Sequence, residues 1–571
     1  MPEKSTPSDG SEPQAGSSFE VKDPFGGPAA AGAPKTVADV VRRRAGDPNV
    51  GLRFEGRSWT WAEVHDEMER RAHLLAHLAS AEPMHVGVLL DNGPEYLFLL
   101  GGAALAGVTL VGGNATRRGE ELERDFVHTE CAAVIASPDH ALLLDGLDVG
   151  RAAGNVLVEG SDELARAIHD APRRPAHEPA PDDLYLLVFT SGSTAAPKAV
   201  KMTHRRAAAA AVQMWFGTHD VLYCVMPMFH SNALVSTVLP AIGTGATLVM
   251  RPRFAASSFM ADVREHGVTF FSTVGRALSY VLAQPPHPDD PDNRLGIVLA
   301  PESAAEDAAA FGERFGCFVI SGYGSSENAV IMTPSAELPE GALGVPMEGM
   351  DVAIVDPETL AVCPPARLDD NGRMLNADEA IGELVGRNTL DRFEGYWNNT
   401  EAEEARSRNG WYWTGDLAYR DEQGVFWFAG RTNDWLRVDG ENFAAAPVER
   451  LLRRWGPITD VVVVGVPDET TADDQVLAVL EATDPKAFDP VAFDAFLEAQ
   501  ADLAPKWRPR WVRVLDVLPL SPTNKVDRSR LRGEGWDVTD AIWWRPDRRG
   551  RLVALTDDDR ERLRPALSRR G

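Results

Sequence analysis

Residues 188–200, "VFTSGSTAAPKAV", hold a dense run of groups able to grip an anion. Thr190, Ser191, Gly192, Ser193 and Thr194 follow an apolar run, and a lone cation, Lys198, comes shortly after. Backbone N–H groups, hydroxyl donors and one ammonium together suit phosphate. The pattern is not that of P-loop nucleoside triphosphatases, because Lys198 follows a proline and precedes Ala199 where Ser or Thr is required. Taken alone, the stretch reads equally well as a turn between two strands. Further along lie "PMFHSNA" with His230, "GYGSSEN" with Glu327, "WTGDL" with Asp416, "GRTNDWLRVDGEN" with Arg431 and Gly440, and "LPLSPTNKVDR" with Lys525.

The surrounding elements decide whether these residues can meet. "HVGVLL", "TLVGG", "AAVIAS", "LYLLVFT", "TLVM", "TFFSTV", "LGIVLA" and "CFVISG" read as buried strands. Helical segments such as "PEYLFLLGGAALA" and "AAEDAAAFGERF" separate them, which predicts α/β units with largely parallel sheets. After about residue 340, "GVPMEGMDVAIVD", "IGELVGR" and "GVFWFAGR" predict a β-rich subdomain. "VERLLRRW", "TDVVVVGVPD", "QVLAVLEA", "VAFDAFLEAQ" and "RVLDVLPL" predict a small α+β unit of normal domain size. The expected organisation is a polar, disordered tail over residues 1–35, a large domain over 36–432 and a C-terminal domain over 433–571. The final segment, "TDDDRERLRPALSRR", predicts a helix capped by Thr556 with aspartates at its positive end.

Bulk properties narrow the class. The 571 residues are 44% hydrophobic and 25% charged, with a formal net charge of −28. That charge argues against general nucleic-acid binding. Cys131, Cys224, Cys317 and Cys363 lie far apart with no C-x-x-C pair, so neither a disulfide framework nor a zinc site is expected, and a cytoplasmic setting fits. No apolar signal segment opens the chain. Residues 96–113 are apolar enough to consider as a membrane span, but their glycines and charged flanks predict a buried helix to about Leu105, a turn at Gly107 and a strand.

The loop and the five later blocks, in this order, resemble the signatures of the adenylate-forming superfamily: acyl-CoA synthetases, luciferases and peptide-synthetase adenylation domains. "VDGENFAAAPVE", "GYGSSE" and "SYVLAQPPHPDDPDN" look closest to its fatty-acid transport and very-long-chain acyl-CoA synthetase branch, especially actinobacterial members. The resemblance implies two half-reactions. A carboxylate first joins AMP and expels pyrophosphate from ATP; the acyl group then passes to CoA. It implies that Thr190 to Thr194 and Lys198 wrap the β- and γ-phosphates, and that Glu327 holds Mg²⁺ with Ser326 near the α-phosphate. Mg²⁺ prefers such hard oxygen ligands. Gly322 and Tyr323 would flank adenine, Asp416 would accept the ribose hydroxyls and Arg431 would lie beside ribose or phosphate. Lys525 would bridge carboxylate and α-phosphate. His230 would gate the acyl site. Gly440 would let the pantetheine arm pass once the mobile C-terminal domain swings about Asn433.

The sequence also departs from the family pattern. Ala195 and Ala199 replace glycines of the loop, and Asn524 replaces the glycine before the lysine. Ser231, Ala300, Pro301, Asn328 and Ala329 stand where Gly or small residues are common, and Glu302 adds polar character. In the family these positions line or abut the acyl pocket, so a shortened tunnel and a short, polar or aromatic acid are expected alongside a long-chain one. The alternatives are an enzyme of specialised metabolism that does not use CoA, such as an amide-forming ligase or an ATP-dependent diazotase acting on nitrite and an aryl amine.

Overall fold

The computed structural model describes residues 33–567 except 174–177, 191–196, 213–215, 302, 304, 334–337, 340–341, 370–373, 432–434, 439–440, 468–473, 501–502, 504, 521–525 and 548–549. Ser191, Gly192, Ser193, Thr194, Ala195, Glu302, Asn433, Gly440, Asn524 and Lys525 therefore lie outside the described residues, as does the N-terminal tail to residue 32.

The apolar runs singled out above become the strands of two large sheets. One has seven strands in the order 318–320, 297–299, 270–272, 221–224, 247–250, 50–54 and 57–60. The other has six, in the order 156–158, 133–136, 85–89, 109–112, 184–189 and 199–203. Neighbours pair in parallel except at one end of each sheet, where a hairpin strand runs back. Strands buried on both faces explain the unbroken Val, Leu and Ile runs. A single apolar core joins Leu222 and Leu248 of the first sheet to Val86 and Leu110 of the second, with helices such as Pro94–Ala106 and Trp61–Leu78 between them.

The span at residues 96–113 resolves as the sequence predicts. Helix Pro94–Ala106 buries Tyr96 to Ala106, ends at Gly107 with φ 65°, and gives way to strand Thr109–Gly112. Glycines permit its depth: a Cβ on Gly101 would fall 2.2 Å from Met68 Sδ, and one on Gly102 2.7 Å from Arg71 Cβ. Among the described residues, no helix is long and apolar enough to cross a membrane. The four cysteines are free and buried.

A third sheet, from Val352–Val355, Gly382–Gly386, Ser407–Arg408, Trp411–Arg420 and Phe426–Arg431, is antiparallel. The C-terminal sheet comprises Asp460–Pro467, Asp474–Glu481, Trp511–Leu515, Ile542–Trp544 and Val553–Ala554. Leu436 and Val438, from the hairpin Trp435–Val438 and Glu441–Ala444, belong to the same core as Val461, Val463 and Ala478. Helix Asp557–Leu567 closes the described chain, and Thr556 Oγ accepts from the Asp559 N–H at 3.2 Å, as the capping pattern predicts. The mixed α/β architecture with parallel sheets and a β-rich part agrees with the sequence reading. The edge hairpin at residues 50–60 and strand Val221–Cys224 were not among the strands anticipated.

Candidate active site

The opening loop joins two antiparallel strands, Leu184–Phe189 and Ala199–Thr203, rather than a strand and a helix. Its base is pinned where the Thr190 N–H donates to the Lys198 carbonyl at 3.2 Å. Burial and the Arg406 guanidinium lower the Lys198 pKa, while Glu327 opposes them.

Segment 395–399 runs beside this base. Tyr396 forms a β-bridge with Val200, the Lys201 N–H donates to the Gly395 carbonyl at 3.0 Å, and Asn399 Nδ2 donates to the Pro197 carbonyl at 3.0 Å. Gly395 has φ 86°, and a Cβ there would meet Glu403 Oε1 at 2.1 Å. The consequence is placement of Tyr396: its hydroxyl donates to Glu327 Oε1 at 2.7 Å.

Glu327 is only 6% exposed, yet cations surround it. Lys198, Arg206 and Arg406 all interact with it electrostatically. Arg206 also donates to the Ser326 carbonyl, which fixes the backbone before Glu327. Burial pulls the Arg406 pKa down, but Tyr412, Tyr396 and Glu327 outweigh it, so the net shift is upward. Burial first, then Glu327, raises the Tyr396 hydroxyl, which stays a donor at neutral pH. Among the described residues, Tyr396 is the hydrogen-bond partner of the Glu327 carboxylate. The two groups of potential metal ligands found among those residues, His65/Asp66/Glu69 and Asp262/Glu265/His266, do not include Glu327. One buried carboxylate fits a hard cation that takes its remaining oxygens from phosphates and water, the usual arrangement for Mg²⁺.

Tyr323 and Asp416 meet. The Tyr323 hydroxyl donates to Asp416 Oδ2 at 2.5 Å. Asp416 lies opposite Arg431 in the antiparallel register; only the backbone of Arg431 is described. The neighbouring Gly415 has φ 73° and donates its N–H to Glu383 Oε1 at 2.7 Å. A Cβ on Gly415 would stand 2.4 Å from Arg406 Nη1. Gly415→Ala is therefore expected to cost about 1–3 kcal/mol of stability and to displace Arg406 from Glu327. Denaturant unfolding alongside adenylation assays checks this; unchanged values in both would contradict it.

His230 precedes the short helix Ser231–Ala233 and a π-helical turn, Leu234–Val238. Its ring lies 4.4 Å from that of Phe229. Ser231 Oγ and Ser326 Oγ are 2.7 Å apart, tying the His230 segment to the Glu327 segment. Asn232 accepts from Ser272 Oγ at 2.6 Å.

Three departures from the family pattern can be placed in three dimensions. Ala300 is fully buried in the core with Val298, Phe311 and Phe315, and Ala329 is fully buried with Val330, Leu384 and Tyr412. Their methyl groups fill cores, so neither residue argues for a shortened tunnel. Asn328 has φ 59°, a conformation Gly or Asn adopts readily.

With this geometry in view, the comparisons with known proteins are decisive. The chain matches the AMP-binding enzyme family over residues 37–397. It is 45% identical over 515 residues to the steroid-22-oyl-CoA synthetase of Rhodococcus jostii (strain RHA1), covering 89% of this chain and 92% of that one. This protein belongs to the AMP-binding enzyme family. It is an ATP-dependent, adenylate-forming ligase of the acyl-CoA synthetase kind, as the sequence predicts. It is also 40% identical over 501 residues to the medium/long-chain-fatty-acid–CoA ligase FadD17 of Mycobacterium marinum, covering 86% and 95% of the two chains. ATP-bound MatB from Rhodopseudomonas palustris shares the fold with a TM-score of 0.75 at 22% identity, over 88% of this chain and 99% of that one.

The residues that sequence reasoning missed are Arg206, Tyr396, Arg406 and Tyr412. Each lies outside the quoted motifs. The isolated glycine of "EGYWNN" was an available signal for Tyr396, since such a glycine can mark a close backbone approach.

Proposed function

We propose that this enzyme activates an apolar carboxylic acid of medium to large size, such as a fatty acid or a steroid side-chain acid, as its acyl-adenylate and passes it to CoA. The observation that carries this reading is the buried Glu327, held by Tyr396 and ringed by Lys198, Arg206 and Arg406. The 45% identity to a steroid-22-oyl-CoA synthetase supports the substrate class.

In the first half-reaction a carboxylate oxygen attacks the α-phosphorus of ATP, and the bond to the pyrophosphate oxygen breaks. Two anions must approach, so catalysis depends on fixed positive charge. Lys198 and the hydroxyl-rich loop from Thr190 hold the outgoing phosphates. Glu327, with Ser326 beside it, would hold Mg²⁺, which supplies charge neutralisation on phosphate oxygens. Arg206 holds the backbone before Glu327 through the Ser326 carbonyl, Tyr396 orients its carboxylate, and Arg406 adds positive charge to the site. Asp416 accepts the ribose hydroxyls, Tyr323 fixes its carboxylate beside the adenine, with Gly322 next to it, and Arg431 reaches ribose or phosphate. Lys525 bridges carboxylate and α-phosphate. In the second half-reaction the CoA thiol attacks the acyl carbon, AMP leaves, and the thiol proton passes to solvent. Gly440 lines the pantetheine path once residues 433–571 have rotated as a unit, and His230 guards the acyl entrance.

Gly440→Trp tests the acceptor. A side chain in the pantetheine path is expected to lower thioester formation by about 10²-fold or more and to leave pyrophosphate release near wild type. Equal rates of thioester formation in wild type and variant would remove the pantetheine assignment.

A further inference from the structure

Arg276 bridges the large domain and the C-terminal sheet. It lies in helix Gly275–Leu282, where its Nε donates to the Tyr280 hydroxyl at 2.9 Å. Its Nη2 donates to Glu481 Oε2 at 2.5 Å, and its Nη1 stands 3.4 Å from Asp460 Oδ2. The two carboxylates lie opposite each other in the antiparallel register of strands Asp460–Pro467 and Asp474–Glu481. The Arg276 and Glu481 side chains are 12% and 14% exposed, so this is not an ordinary surface pair. Its planar fork spans two acids and is itself held by a third group, which limits the entropy lost on pairing.

Glu481 has a second duty. Its Oε2 accepts the Leu518 N–H at 2.8 Å, and its Oε1 accepts from the Thr459 hydroxyl at 3.1 Å. Leu518 opens "LPLSPTNK". The two ends of that segment are tied together: Leu520 and Val526 form an antiparallel bridge, and the Asp527 N–H donates to the Pro519 carbonyl at 2.8 Å. In sequence Lys525 falls between these tied ends; Leu518 at the first of them is fastened to Glu481, and Glu481 is fastened to Arg276.

We propose that Arg276 is a positioning residue for the adenylation half-reaction: by clamping Glu481 and Asp460 it sets the C-terminal domain, and the loop that carries Lys525, on the large domain. This rests on the reading of Lys525 as the cation of the first step. The contacts of Glu481 with Leu518 and Thr459 lie within the C-terminal domain, so they survive a rotation that breaks the Arg276 pair. The clamp thus governs where the C-terminal domain stands on the large domain. On the proposed rotation of residues 433–571, the clamp holds in one of the two steps and is released for the other.

The test separates the two half-reactions in the full-length enzyme. ATP–pyrophosphate exchange with the substrate acid reports the first, and thioester formation from preformed acyl-adenylate and CoA reports the second. Arg276→Gln is expected to lower the exchange kcat about tenfold, the loss of one charge-assisted hydrogen bond, with KM for ATP within about twofold. Thioester formation from the adenylate is expected to be unchanged or faster. Arg276→Lys should recover part of the exchange rate. Glu481→Gln, which keeps an acceptor for Leu518 but removes the charge, should reproduce the split even if Arg276→Gln fails to fold. Unchanged exchange in both Gln variants, or equal losses in both half-reactions, would overturn the clamp. Absence of exchange in the wild type with every acid tried would instead overturn the adenylation reading, so the two failures are distinguishable.

Discussion

Lys525→Ala is expected to lower the rate of adenylate formation by about 10²–10³-fold or more while the melting temperature stays that of the wild type. The reason is electrostatic. The attacking carboxylate and the α-phosphate repel each other, and a cation placed between them acts only as they approach, so its removal raises the barrier without weakening ATP binding in proportion. The base of the Lys525 loop is held by Leu518, Leu520 and Val526, none of which needs the lysine. Pyrophosphate release in single-turnover experiments measures the effect. Thioester formation from supplied acyl-adenylate should be spared, because no triphosphate is then present. Wild-type pyrophosphate release by the variant would remove Lys525 from the first step.

Glu327→Gln is expected to produce a loss of similar size, with a different signature. The amide keeps the shape of the side chain and an oxygen for Tyr396, which donates to it at 2.7 Å in the wild type. What disappears is the carboxylate charge that acts on Lys198, Arg206 and Arg406 together, while Arg206 keeps its ion pair with Glu394 at 3.9 Å. The three cations lose this shared counter-charge, and the oxygen proposed to hold Mg²⁺ becomes a neutral carbonyl. Adenylation should fall by about 10²-fold or more, and the Mg²⁺ concentration giving half-maximal rate should rise. Titration of pyrophosphate exchange with Mg²⁺ reads both. An unchanged Mg²⁺ dependence would separate Glu327 from the metal and leave it a structural partner of Tyr396.

Much of the fold was legible because burial on both faces of a parallel sheet leaves continuous apolar runs. "HVGVLL", "AAVIAS" and "TLVM" became strands His85–Leu89, Ala133–Ala136 and Thr247–Met250. The strand Arg57–Thr60 left no such trace because it is a half-exposed edge, with Arg57 and Ser58 facing solvent. The motifs pointed to Tyr323, Ser326, Glu327 and Asp416 because each lies in a run of small and polar residues, "GYGSSEN" or "WTGDL", although Asp416 sits within strand Trp411–Arg420 and Tyr323 in a bridge to Met332. Arg206, Tyr396 and Arg406 carry none. Their roles arise from tertiary approach: Tyr396 reaches Glu327 only because residues 395–399 run alongside strand Ala199–Thr203, and Arg406 fits only because residue 415 lacks a side chain. Ala300 and Ala329 mark the opposite limit. Their neighbours in sequence suggest an acyl pocket, while their packing places them in two separate hydrophobic cores.

The most direct test of the central claim is mass spectrometry of reactions containing the purified enzyme, ATP and Mg²⁺. Each would hold one acid from a panel of fatty, steroid side-chain, short and aromatic acids, with and without CoA. The account predicts AMP and an acyl-CoA thioester that appears only when CoA is present, formed fastest from a fatty or steroid side-chain acid, with the acyl-adenylate accumulating when CoA is omitted. AMP and a new product formed equally well without CoA would contradict it, and the mass of that product would identify the bond the enzyme makes instead.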